Sequence, residues 1–106
     1  MINFDIKKCD YNNAEEYIST EKVLEYANNN KLGFNFTVVN NACNCENKDF
    51  ELYSFFYALS DDNSEILDDE SDMYDMYEKY NNYNLYEIQI YYCPECQRFC
   101  IDYHGL

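Results

Sequence analysis

The chain of 106 residues has no tryptophan, one proline, two glycines, one histidine and only seven basic residues. Each shortage excludes something. Two glycines leave no glycine-rich loop to cradle a phosphate. With His104 as the sole histidine and no serine motif at a strand-to-helix turn, a hydrolytic site is not expected. No run of about 18 apolar residues is present, so no membrane span is expected. The start, Met1-Ile2-Asn3-Phe4-Asp5, lacks the basic-then-apolar plan of a secretory signal, which points to an intracellular protein. The seven bases face 21 acids, for a net charge of −14. That charge repels nucleic-acid phosphates and anionic membranes and favours a basic partner surface.

What is abundant is tyrosine, thirteen residues beside seven phenylalanines. A buried tyrosine needs a partner for its hydroxyl, so many should be half-buried. The length suits one domain with a thin core, in which a metal staple would matter. Six cysteines in an intracellular chain point to metal binding, with three disulfides as the rival reading for a secreted one.

Residues 2–8 alternate apolar and polar, the period of a half-buried strand, and residues 9–13 read as a turn. Residues 14–19 are ambiguous between a short strand and a helix start. Thr20 is a candidate N-cap for a helix over 21–31, with Val23, Leu24 and Ala27 on its apolar face and Gly33 closing it. Strands are expected over 34–39 and 49–59, joined by a polar loop. The first part of 60–78 reads as a mobile loop. Ser71 could cap a helix whose apolar stripe is Met73, Met76, Tyr77 and Tyr80. Tyr86, Ile88, Ile90 and Tyr92 share one face of a strand over 85–92, and residues 97–103 form the return strand. The fold class expected is α+β: a small antiparallel sheet of four to six strands with two helices.

Two thiol pairs stand at the predicted turns. Cys93-Pro94-Glu95-Cys96 separates two strands, and Cys43-Asn44-Cys45 lies between two others. Zinc takes four thiolates at tetrahedral angles, and two hairpin tips brought together would supply them. Pro94 fixes φ and pre-shapes its turn. Cys43, Cys45, Cys93 and Cys96 are therefore the expected ligands of one structural zinc. Cys100 and His104 are substitute ligands, and Cys9 is expected to pack as a small hydrophobe. These residues resemble the zinc-ribbon class, in which such knuckles sit on hairpins. The resemblance implies a structural metal and nothing about activity. The chain departs from it in two places: Gln97 stands where a glycine often follows the second cysteine, and the upstream pair is spaced by one residue instead of two. A thiol oxidoreductase using Cys93 and Cys96 would need a helix starting at the pair, yet strand-like residues flank it on both sides.

The sharpest composition shift is at 60–78, which holds nine carboxylates and no base. As one helix it would carry a charge every ~3 Å, near the ~3.4 Å phosphate spacing of a DNA strand. Asp61, Asp62, Glu65, Asp68, Asp69, Glu70, Asp72 and Asp75, with Tyr74 and Tyr77 as anchors, are the candidate partner-binding residues. The leading expectation is a non-enzymatic acidic protein that blocks the basic surface of a nucleic-acid-handling protein. In charge and size it resembles the small anti-defence inhibitors and DNA mimics of phages. The alternative is a zinc-stabilised adaptor whose tyrosine face docks a partner.

Overall fold

The computed structural model describes residues 3–33, 35–39, 43, 45–46 and 49–106. Its elements are β1 (Cys9–Asn12), α1 (Thr20–Asn30), β2 (Phe36–Val39), β3 (Asp49–Leu59), β4 (Glu65–Asp68), α2 (Met73–Lys79), β5 (Asn84–Tyr92) and β6 (Phe99–Gly105). The class is α+β, as expected. The sheet is not purely antiparallel, however. Its order is β1-β6-β5-β3-β2, with β4 also on β3, and β1 runs parallel to β6. β3 is long enough to take β5 along one side, while β2 and β4 share the other, on residues 49–52 and 56–59.

Side chains alternate along β3, β5 and β6, which gives the sheet two different faces. On one face Tyr53, Phe55, Tyr57, Ile88, Ile90, Tyr92, Phe99 and Ile101 are buried beneath Val23, Leu24 and Ala27 of α1. Burying a valine or leucine side chain contributes about 1.5–3 kcal/mol, so this stripe holds α1 in place. The Phe4 ring meets Tyr53, Tyr92 and Phe99 edge-on at 5.3–5.6 Å. On the other face Ala58 and Leu85 pack under Met76 of α2.

The start of the chain departs from the expected pattern. The described part of 2–8 is not a strand: residues 6–8 form a 3₁₀ turn capped by the Asp5 carboxylate, and the strand lies at 9–12. Local and tertiary polar bonds account for the shift. The Asn28 side chain accepts from the Phe4 N–H at 2.8 Å and donates to the Phe4 carbonyl at 3.1 Å, in place of a neighbouring strand. Asn12 accepts from the Ala14 N–H and donates to the Ile18 carbonyl, which makes 13–18 a series of turns. α1 is capped by Ser19, whose hydroxyl accepts from the Lys22 N–H at 3.2 Å, one residue before the expected Thr20. It ends on Lys31 in the left-handed conformation (φ 52°), not on Gly33.

The acidic stretch is also more ordered than expected. β4 lies within the predicted loop, reached by a turn in which Asp62 accepts from the Ser64 N–H at 3.1 Å and from the Ser60 hydroxyl. α2 is capped by Asp72 instead of Ser71, with its carboxylate accepting from the Asp75 N–H at 2.8 Å. Of its expected stripe only Met76 is buried and Tyr80 half-buried, while Met73 and Tyr77 are each 45% exposed. Among the described residues no helix is long and apolar enough to cross a membrane.

Candidate metal centre

The β5–β6 ladder runs to Tyr92↔Phe99 and then turns. The Cys93 N–H donates to the Arg98 carbonyl at 2.9 Å, and the Gln97 N–H donates to the Cys93 carbonyl at 2.8 Å. Pro94 follows Cys93, where its fixed φ favours the bend. Gln97 closes the turn with φ 65°, the left-handed conformation that a glycine would adopt without strain. The glycine missing from the sequence is thus replaced in conformation by Gln97.

The second pair lies between β2 and β3. β3 pairs with β5 up to Glu51↔Tyr92, so both hairpins point their tips to the same end of the sheet. There the sulfur atoms of Cys43, Cys45, Cys93 and Cys96 all lie within 4.8 Å of one another. Four thiolates at the ~2.3 Å zinc–sulfur distance stand about 3.8 Å apart around a tetrahedron. The cluster therefore has the count, the donor type and nearly the spacing of a four-thiolate site, and it can hold a metal ion. Cys93 is fully buried and the other three are half-buried.

The turn also prepares Cys93 chemically. Burial pushes its thiol up, but the backbone N–H groups of Cys96 and Glu95 and the thiols of Cys43 and Cys96 outweigh that and hold it below its ordinary value. Cys45 is pushed up, chiefly because it shares its proton with Cys96. The N–H groups of this turn thus favour negative sulfur, the form a metal requires. Arg98 lines the same opening with Cys43, Cys45 and Cys96. Its guanidinium is held by the Asp10 carboxylate, with Nε donating at 2.7 Å. The cysteine spacing gave no hint that Arg98 would line the opening, although it lies two residues past Cys96.

No protein-family description matches this chain, and no curated protein or solved structure gives a significant match.

The substitute ligands lie elsewhere. Cys100 is buried opposite Tyr91 and close to the Tyr11 hydroxyl, and His104 is exposed opposite Glu87. Cys9 is half-buried against the main core, and its thiol donates to the Tyr11 carbonyl at 3.4 Å. The six cysteines form no disulfide. No helix begins at residues 93–96; the turn leads directly into β6.

The candidate partner-binding acids do not form a single helical row, because 60–78 is a turn, a strand, a second turn and a two-turn helix. Several also have internal work. Glu65 pairs with Lys22 and accepts from the Tyr57 hydroxyl at 3.0 Å. Asp68 accepts from the Glu70 and Ser71 N–H groups, and Asp69 accepts from the Tyr26 hydroxyl at 2.6 Å. Asp62 and Asp72 cap the turns already described. Asp61 and Glu70 are exposed, and Asp75 is half-buried. Tyr74, 69% exposed, joins Met73 and Tyr77 on the outer face of α2.

Proposed function

We propose that this is a non-enzymatic acidic binding protein, fastened by one structural zinc ion, that docks on a basic surface of a partner. Surfaces of that kind occur on proteins that handle nucleic acid. The observation that carries the reading is the cluster of four thiols from two hairpin tips. A complete four-sulfur shell leaves no open position for a substrate, which is the mark of a structural zinc. Four clustered soft thiolate donors favour zinc over calcium or magnesium.

Charge supports the choice of partner. Lys22 is tied to Glu65, Arg98 to Asp10, and Lys79 to the Ser71 hydroxyl beside Asp68. Carboxylates that cap turns keep their negative charge, so the field around 60–78 persists even though these groups are bonded. A zinc-fastened adaptor is the second reading, favoured by the exposed Met73, Tyr74 and Tyr77.

Metal analysis of anaerobically purified protein tests the first half, with one zinc per chain expected. Partner capture at low and high salt tests the second. Binding should fall steeply with salt and weaken in Asp61→Asn/Glu70→Gln/Asp75→Asn. Capture that ignores both salt and these substitutions but is lost in Tyr74→Ala would favour the adaptor.

A further inference from the structure

We propose that the cavity at the α2 end of the sheet is a binding site for an organic cation, a guanidinium or alkylammonium group. The cavity has a volume of about 350 Å³ and lies beside Tyr77, Tyr80, Tyr83, Asn84, Leu85 and Leu106. That is at the small end of ligand sites, roomy for a side-chain head and tight for a nucleotide. Its base is anchored by the contact of Leu85 with Met76 and Ala58, and it is closed at one side by the Leu106 N–H bonding the Leu85 carbonyl at 3.0 Å.

Two features select a cation. The first is the aromatic wall. Tyr80 and Tyr83 line the cavity, and their rings form a T-shaped pair at 72° with centroids 5.5 Å apart. The electron-rich face of a tyrosine attracts a cation within ~6 Å, and the attraction strengthens as water is excluded. The second is the charge around it. Among the described residues no lysine or arginine lines the cavity. The one base on α2, Lys79, is turned to the Ser71 hydroxyl and Asp68. An uncharged aromatic pocket in a molecule of net charge −14 concentrates cations and repels anions. The Asn84 amide supplies a neutral acceptor for N–H groups.

This inference deepens the reading of a basic partner, whose lysine or arginine side chain would carry the cation into the cavity. The test is an NMR titration following the ring signals of Tyr80 and Tyr83, with sodium chloride matching ionic strength. Choline is compared with its uncharged carbon analogue 3,3-dimethylbutan-1-ol, and ethylguanidinium and an arginine-rich peptide form further arms. Choline and ethylguanidinium should give saturable shifts at least about fivefold tighter than the neutral analogue. Tyr80→Phe/Tyr83→Phe should retain binding, and Tyr80→Leu/Tyr83→Leu should lose most of it while keeping its melting transition. Equal affinity for choline and its neutral analogue, or no saturable shift from any cation, overturns the proposal. So does peptide binding of unchanged strength in the leucine variant, although the basic-partner reading then stands. Cation binding without peptide binding leaves the site intact and removes the basic partner instead.

Discussion

If the four thiols hold zinc as proposed, removing it should destabilise this fold by an amount that the topology sets. The two cysteine pairs lie about 50 residues apart in sequence. In the unfolded chain one pair can hold a zinc ion alone, but adding the other requires closing that loop. For a loop of this length closure costs about 4 kcal/mol near 25 °C. In the folded chain the cost is already met, because β3 and β5 pair up to Glu51↔Tyr92 and carry both tips to one place. By this argument the ion prefers the folded state by up to about 4 kcal/mol, a large part of the 5–15 kcal/mol typical of a domain. For a chain of this size that corresponds to a loss of roughly 15–20 °C in Tm on stripping. The core beneath α1 contains none of the four ligands, so the stripped protein should still fold. The assay is anaerobic calorimetry of the zinc-loaded, chelated and reloaded protein, with Cys43→Ser and Cys96→Ser behaving like the chelated form. A stripped protein melting within about 2 °C of the loaded one would refute the argument, as would a cysteine variant that binds zinc undiminished.

Three further outcomes are expected. Glu65 sits below its ordinary 4.5, first because Lys22 bonds its carboxylate and then because the Tyr57 hydroxyl donates to it. A carboxylate depressed by folding stabilises above its unfolded value and loses that contribution as pH falls through the folded one. Thermal melts of wild type and Glu65→Gln should therefore draw together only as pH falls below about 4.5 and coincide once it is below the folded value, while at pH 7 the variant should be weaker by no more than about 1 kcal/mol, since the pair is exposed. Tyr57 is buried, and its hydroxyl lies 3.0 Å from both the Tyr17 carbonyl and Glu65. Tyr57→Phe should cost about 1–2 kcal/mol in denaturant unfolding, by stranding the acceptors. Gln97→Gly relieves a left-handed residue at the metal turn, so it should leave stability unchanged or raise it by up to about 1 kcal/mol, with zinc content unaltered; a clear loss would mean that the glutamine side chain supports the turn.

Where the sequence was legible, the physics was local or strictly periodic. β3 occupies 49–59 as its run of aromatic and apolar residues predicts, and the alternation of Tyr86, Ile88, Ile90 and Tyr92 places these side chains toward the core. The thiol pairs were legible because ligand spacing and turn residues are both short-range signals. The failures came from side chains that bond at a distance. Phe4 has the pattern of a strand residue, yet the Asn28 amide, 24 residues away, takes its backbone bonds. Asn28 itself reads only as a weak helix former. The run at 60–78 looks featureless because its carboxylates appear as charge. In the fold, Asp62, Asp68 and Asp72 act as hydrogen-bond acceptors that shape turns, and the β4 pairing depends on β3 residues 56–59. The parallel partner of β6 was hidden for the same reason, since nothing within residues 9–12 indicates that Phe99 and Ile101 will lie beside them.

That parallel pairing bears on the order in which the molecule assembles. β1 meets β6 at Cys9↔Phe99 and Asn12↔Ile101, partners about 90 residues apart in sequence. While the chain is still emerging from the ribosome, the Phe4 ring lacks Tyr92 and Phe99, two of its three aromatic neighbours. Contacts of such sequence separation form late, because the loop between them must close before they contribute. β1 therefore waits without its β6 partner until residues 99–101 have been synthesised.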